Sequence, residues 1–133
     1  MNEIVIQIDI DPVPKGRPRF SSFGKFPRVY TPSKTLLYEN ALKTMLKAAY
    51  KGAPIEHEIC VGVFFYLKRP KTSKNIHPKT KPDLDNYLKA FLDAGNGILW
   101  KDDAIITEIH CKKAYSDTVF IESGAIILTI SEL

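Results

Sequence analysis

The chain has 133 residues, a formal net charge of +4 at pH 7 and 44% hydrophobic residues. This length suits one domain with a single core, and the composition is that of a folded rather than a disordered protein. No apolar run approaches the roughly 18 residues needed to cross a bilayer, which argues against a membrane-spanning function. Cys60 and Cys111 both fall in predicted strands, so we expect buried reduced thiols and a reducing, cytoplasmic location.

The first half of the chain predicts a strand, a basic loop and a helix. Residues 3–10 alternate isoleucine with other side chains, which is the two-residue period of a β-strand, and the prolines that follow end it. Thr31 and Pro32 suit the start of a helix that ends before Gly52. Residues 15–34 contain no acid and mix aromatic side chains with six basic ones: Lys15, Arg17, Arg19, Lys25, Arg28 and Lys34. The predicted buried stripe of the helix comprises Leu37, Tyr38, Ala41, Leu42, Met45 and Ala49.

The second half of the chain predicts an interior strand, another basic loop, a second helix and two more strands. Residues 59–67 are apolar on both faces, which is typical of a strand in the middle of a sheet. Further strands are predicted near residues 105–112 and 124–130. The loop at residues 68–81 also lacks acids and carries six basic residues: Lys68, Arg69, Lys71, Lys74, Lys79 and Lys81. The order of elements predicts one α/β domain over residues 1–133, with a small mixed sheet packed against two helices.

The second predicted helix has two chemically distinct faces. Pro82 suits the point where the chain enters the helix, and Gly95 or Gly97 suits a left-handed conformation at its end. Spacings of three and four residues predict a buried stripe made of Leu84, Leu88, Phe91, Leu92 and Gly95. The opposite, polar face is predicted to carry Asp85, Asn86, Lys89 and Asp93.

Carboxylates gather around this helix. Asp83 and Asp85 stand at its start, and the turn over residues 95–97 is expected to bring Asp102 and Asp103 back beside it. One interpretation is structural: Asp83 caps the helix, Asp85 favours its dipole, and Lys89 forms an i,i+4 pair. The other is catalytic, since three or four neighbouring carboxylates repel one another unless cations lie among them. Oxygen-only ligands favour Mg²⁺ or Mn²⁺ over zinc.

The distribution of basic residues indicates a class of substrate. The two basic loops hold 12 of the 19 Lys and Arg residues. This concentration suits a long polyanion, although two loops that serve only solubility would have the same composition. Divalent ions between such loops favour phosphodiester hydrolysis, in which a metal activates water and a lysine offsets charge on the phosphate. These patterns predict a metal-dependent enzyme acting on nucleic acid.

The segment over residues 81–104 resembles the RusA family of Holliday junction resolvases. It reads KPDLDNYLKAFLDA and then GNGILWKDDA, and the PKGRPR stretch at residues 14–19 is also similar to bacterial and phage members. The resemblance implies a RusA-like fold and a homodimeric, Mg²⁺- or Mn²⁺-dependent endonuclease. Such an enzyme would resolve four-way DNA junctions by paired symmetric cuts in recombination and repair, within a bacterial cell or a phage-infected host.

The same resemblance assigns the site residues. The implied metal ligands are Asp83, Asp85 and Asp103, and the implied essential lysine is Lys89. Asp102 matches the first acid of the family's Asp-Asp pair and is a further candidate ligand. Ile105 stands where the family often has glutamine, a departure that leaves the metal ligands unchanged.

Charge alone selects the candidate DNA-binding residues, which are Lys15, Arg17, Arg19, Lys68, Arg69 and Lys81. Two other functions stay open. One is a protein that binds junctions or duplex DNA without cutting them, and the intact set of acids and Lys89 argues against it. The other is a metal-dependent phosphohydrolase with a small substrate, and the two basic loops favour a long polyanion instead.

Overall fold

The fold is built on a mixed sheet of four strands. The computed structural model describes residues 3–16, 19–21, 28–30 and 33–133, with residues 19–21 and 28–30 described through their backbone pairing. The four strands are β1 (Ile4–Ile8), β4 (Ile59–Leu67), β5 (Ile106–Tyr115) and β6 (Ala125–Glu132). The strands β2 (Arg19–Ser21) and β3 (Arg28–Tyr30) pair antiparallel in a second sheet. The first basic loop, predicted to be irregular, therefore contains a strand pair.

The order of strands in the main sheet is β1-β6-β4-β5. Strand β6 pairs antiparallel with both β1 and β4, whereas β4 and β5 are parallel. It follows that β1, β4 and β5 run in the same direction and that their C-terminal ends lie at one edge of the sheet. Strand β4 has neighbours on both sides, as its apolar sequence predicts. The predicted α/β class with a small mixed sheet and two helices is confirmed.

The first helix, α1 (Ser33–Ala49), buries part of the predicted stripe: Tyr38 and Leu42 are buried, and Met45 is half-buried. Leu37 is 70% exposed, and Ala41 and Ala49 are exposed as well. The buried residues are Thr35, Tyr38, Glu39, Leu42 and Leu46. Thr35 and Glu39 are buried beside the loop after β1, where they accept hydrogen bonds from the Gly16 backbone N–H and from Lys15. The predicted start of this helix at residues 31 and 32 lies outside the described residues.

The second helix, α2 (Leu84–Gly95), connects β4 to β5 and packs against the face of β4 that carries Phe65. The ring of Phe65 stacks on Tyr87 at 5.6 Å and meets Phe91 edge-on at 6.3 Å between centroids. The buried residues of α2 are Tyr87, Ala90, Phe91, Ala94 and Gly95. The predicted leucines Leu84, Leu88 and Leu92 are half-buried and pack at the margin of the core, whereas Phe91 and Gly95 of the predicted stripe are buried.

Two smaller predictions also have an outcome in the structure. Gly97 has a φ of 80°, the left-handed conformation predicted for the end of α2. Cys60 and Cys111 are free thiols, as predicted, but they are half-buried and not fully buried, and partial burial raises the pKa of Cys111 to about 11. In the described parts of the chain, neither helix has both the length and the apolar character of a membrane-spanning segment.

Candidate active site

Asp83 lies at the N-cap position of α2 but does not cap the helix. Its backbone is extended, and its side chain accepts no hydrogen bond from the first turn. Instead, the Lys81 ammonium donates to the Asp83 carboxylate at 2.8 Å. This hydrogen bond, assisted by the charges of Lys81 and Lys113, lowers the pKa of Asp83 below its ordinary value. The predicted capping role is therefore wrong, and the carboxylate stays charged and exposed beside a lysine.

The polar face of α2 continues from Asp85 to Asp93. Asp85 is exposed in the first turn of the helix, where a negative charge suits the helix dipole. One turn later, the Lys89 side chain is 65% exposed, and its ammonium lies 3.5 Å from the Asp93 carboxylate. The i,i+4 partner of Lys89 in the structure is thus Asp93. The ammonium stays accessible to a ligand above this face.

Asp102 and Asp103 are positioned by Asn96, a residue that sequence reasoning did not select. The Asn96 side-chain oxygen accepts hydrogen bonds from the Trp100 indole at 2.9 Å and from the Asp103 backbone N–H at 3.0 Å. Trp100 is fully buried against Gly95, where an added Cβ would lie only 2.7 Å from the indole ring. The sequence signal that could have indicated this role of Asn96 is the Gly-Asn-Gly turn followed by a tryptophan. Together these contacts hold the returning segment against the end of α2.

Asp103 returns to the polar face of α2, as expected. Burial, a hydrogen bond with Asp102 and the negative charges of Asp102 and Asp93 raise the pKa of Asp103, whereas Lys89 lowers it. Asp102 also accepts a hydrogen bond from the Ala104 backbone N–H at 3.2 Å, which caps a short 3₁₀ turn over Asp103–Ile105. A cluster of Asp102, Asp103, Asp93 and Lys89 results.

The four candidate metal ligands are not gathered into one preformed group. Among the described residues, no three of these aspartates have carboxylate oxygens within 4.8 Å of one another. In the part of the chain that the structure describes, the group with all donor atoms within 4.8 Å is Cys60, Glu108 and His110 on β4 and β5. Sequence reasoning missed that mixed group because its members come from two strands. The carboxylate oxygens of the aspartates nevertheless fit the donor chemistry of a hard divalent cation.

Lys15 was selected as a DNA-binding residue, and the structure places it between the two helices. Its ammonium lies 2.7 Å from the Glu39 carboxylate and 3.1 Å from that of Asp93, and its side chain is 22% exposed. Its backbone N–H donates to the Asn86 carbonyl at 2.8 Å. Partial burial lowers the pKa of Lys15, but the hydrogen bonds to Glu39 and Asp93 outweigh it and raise the pKa overall. Lys15 thus ties the loop after β1 to both helices.

Arg69, a second predicted DNA contact, holds the other basic loop together. Its guanidinium donates to Asp117 at 2.7 and 3.1 Å and to the Asn75 carbonyl, and it lies over the Tyr115 ring at 4.1 Å. All three of its nitrogens are thus bonded within the protein. This geometry gives Arg69 a loop-holding role, and its predicted contact with DNA stays a prediction.

The remaining candidate DNA-binding residues differ in how far the structure describes them and in their exposure to solvent. Lys68 is exposed, and the Lys81 side chain is 84% exposed despite its bond to Asp83. Arg17 lies outside the described residues, and Arg19 is described only as the first residue of β2. Lys68 and Lys81 are therefore the candidates that the described chain presents to solvent.

Comparison with known proteins identifies the family of this chain. The family model for Endodeoxyribonuclease RusA matches residues 9–122. A crossover junction endodeoxyribonuclease RusA from Aquifex aeolicus (strain VF5) is 30% identical over 119 residues, which cover 85% of this chain and 82% of that protein. An uncharacterized protein, YqaN, from Bacillus subtilis (strain 168) is 27% identical over 124 residues, covering 84% and 87%. The chain therefore belongs to the RusA family of endodeoxyribonucleases, which hydrolyse phosphodiester bonds in DNA.

Proposed function

We propose that this protein resolves four-way DNA junctions in recombination and repair, as a structure-selective endonuclease dependent on Mg²⁺ or Mn²⁺. The observation that carries the proposal is the return of Asp103 to the face of α2 that bears Lys89 and Asp93. Asn96 and buried Trp100 hold the returning segment in place. The fold therefore keeps the Asp103 carboxylate near Asp93 and Lys89. Membership of the RusA family and the name of the Aquifex relative support the same activity.

Each residue of the site has a role in this proposal. Asp83, Asp85 and Asp103 would hold the divalent cation, and Asp102 would supply a further oxygen. When bound, the cation supplies Lewis-acid activation of water and stabilisation of charge on the phosphate. The Lys89 ammonium offsets negative charge on the scissile phosphate, since it is exposed on the same face.

The electrostatics of the site support cation binding. Three carboxylates crowd around one lysine where Asp102 and Asp103 meet Asp93 and Lys89. At the other end of the helix, Asp83 is balanced by Lys81, which must turn away before that carboxylate can bind a cation. A cation that joined these acids would relieve the crowding of negative charge, and this relief is a driving force for binding.

The proposed substrate and partner follow from the charges and the reaction. Branched DNA presents phosphates to the exposed Lys68 and Lys81, which lie near the start of α2. Resolution of a four-way junction needs two related cuts. We therefore propose a homodimer, because a two-fold axis would relate two copies of this site.

The test is cleavage of a labelled mobile four-way junction, with a linear duplex of the same sequence as the control. We expect paired symmetric nicks in the junction with Mg²⁺ or Mn²⁺, and no nicks with EDTA. Junction binding without cleavage under either metal would instead support a non-cleaving DNA-binding protein. Hydrolysis of a small phosphodiester together with salt-insensitive junction binding would support the small-substrate alternative.

A further inference from the structure

A cavity of about 300 Å³ opens beside the start of α2. It lies where β4 and β5 end, next to the loop that follows β1. Ligands of α/β proteins commonly bind outside the C-terminal ends of strands that run in the same direction. The volume is at the lower end of the roughly 300–1,000 Å³ range of small-ligand sites. The position and size therefore suit a compact ligand.

The walls of the cavity are apolar and rigid. Four proline rings from two loops and two tyrosines make up most of the lining: Pro12, Pro70, Pro78, Pro82, Tyr87 and Tyr115. Proline rings have little conformational freedom to lose when a ligand packs on them. A flat apolar ring system fits such a slot, in the way that unpaired bases bind between apolar and aromatic side chains.

The protein itself holds these walls in place. The Lys113 ammonium donates to the Thr80 and Pro82 carbonyls at 2.9 and 2.8 Å, which fixes the segment before α2. On the other side, the Tyr115 hydroxyl lies 3.2 Å from the Ser73 hydroxyl, and the guanidinium of Arg69 covers its ring. Lys113 and Arg69 thus support the walls of the cavity through contacts within the protein, and these contacts form without DNA.

The rim of the cavity has the charge that a nucleotide requires. Lys68 and Lys81 are among the lining residues, and both are exposed to solvent. The acid in the lining, Asp11, accepts a hydrogen bond from the Gly124 backbone N–H at 2.9 Å. Pro82, part of the wall, directly precedes Asp83, so the cavity adjoins the carboxylate end of the candidate active site.

We propose that this cavity binds an unpaired nucleobase of the DNA substrate, with Lys68 and Lys81 contacting the phosphates that flank it. This inference rests on the proposed junction-cleaving function, because a base that leaves the stack can be read in a pocket lined by aromatic and apolar side chains, and extrusion costs least where the base is already unpaired. Capture of one base beside Asp83 would fix the register of the backbone over the aspartates. The cavity would then contribute to the choice of the bond that is cut.

Photo-crosslinking tests the location of the base. A junction carries 5-iododeoxyuridine at one position at a time on either side of the crossover and is bound to the Asp85→Asn protein, which leaves the DNA uncut. We expect crosslinks at one such position, mapped by mass spectrometry to peptides containing Tyr87 or Tyr115. Crosslinks confined to peptides outside the cavity lining would overturn the proposal.

A cleavage cycle tests the contribution of the base. Thr80→Trp adds a bulky side chain to the lining of the cavity, and Thr44→Trp places the same side chain on the exposed surface of α1 as the control. We expect Thr80→Trp to slow junction cleavage by about tenfold, and Thr44→Trp to leave it unchanged. An abasic site at the crosslinking position should slow the wild-type protein by a similar factor and the Thr80→Trp protein no further.

These outcomes separate failure of the inference from failure of the proposed function. Wild-type protein that cuts intact and abasic junctions equally well would refute the base cavity while the nuclease function stands. Wild-type protein that cuts no junction with either metal would refute the proposed function itself. If the Thr80→Trp protein does not fold, as judged by circular dichroism, the abasic comparison and the crosslinks decide the question.

Discussion

The two ends of the candidate active site consist of the same residue type but have opposite electrostatics. Asp83 is exposed and bonded to Lys81, and this contact lowers its pKa. Asp103 is partly buried beside Asp102 and Asp93, and burial together with their negative charge raises its pKa. The environment, and not the type of side chain, decides how costly each negative charge is.

This difference indicates which end has more to gain from a cation. A carboxylate that already has a lysine partner must give up that contact before it binds a metal. The Asp102 and Asp103 pair has a surplus of negative charge, and Lys89 offsets only part of it. We infer that the end of the site at Asp103 provides most of the attraction for the cation, while the end at Asp83 lies closer to the exposed lysines that would hold DNA.

The largest effect is expected from removing single negative charges at each end. Asp85→Asn and Asp103→Asn should each lower junction cleavage by at least about 10³-fold, because both carboxylates belong to the proposed set of metal ligands. Binding of the junction should persist in gel-shift assays. Asp9→Asn, an exposed position at the end of β1, is the matched control and should cleave normally. Loss of folding with Asp85→Asn would mean that this residue is structural.

Lys89→Ala should have the next largest effect. We expect a decrease of about 10²-fold in single-turnover cleavage, with folding and junction binding retained, because the ammonium would act on charge that develops during the reaction. Lys47→Ala, at an exposed site in the last turn of α1, serves as the control. Turnover by Lys89→Ala equal to that of the wild type would remove Lys89 from the mechanism.

Asn96→Ala should affect the end at Asp103 without touching a proposed ligand. It removes the acceptor for the buried Trp100 indole and for the Asp103 backbone N–H, so we expect a loss of about 1–3 kcal/mol of unfolding free energy. Cleavage should fall by about tenfold at low metal concentration and recover partly at high concentration. The control is Asn40→Ala on the exposed side of α1. An unchanged metal requirement would contradict the positioning role.

The smallest effect concerns stability without metal and separates the two ends directly. With EDTA, Asp103→Asn should raise the free energy of unfolding by less than about 1 kcal/mol, because it relieves repulsion that solvent partly screens. Asp83→Asn should give no such gain, since it removes the partner of Lys81. Urea denaturation near pH 7 measures both. Equal changes in the free energy of unfolding of the two variants would mean that the negative charge is no more costly at Asp103 than at Asp83.

Local sequence patterns predicted most of the fold. The apolar sequence of β4 indicated an interior strand, and Pro82 and Gly97 bracket α2 as expected. The predicted stripes of the helices were less accurate, because hydrophobic periodicity cannot show which side approaches the sheet most closely. In α1, Glu39 is buried by its ion pair with Lys15, a contact between residues 24 apart in the chain.

The sequence by itself determined the fold class and the family, and it predicted the residues of the candidate site, because these depend on short-range periodicity and on a local motif. Only the tertiary structure decided which acids are neighbours. It placed Asp103 beside Lys89 through Asn96 and gave Arg69 and Lys15 partners within the protein. It also built a cavity from segments far apart in the chain. Such contacts depend on how strands and helices pack in three dimensions, and no local pattern of residues specifies them.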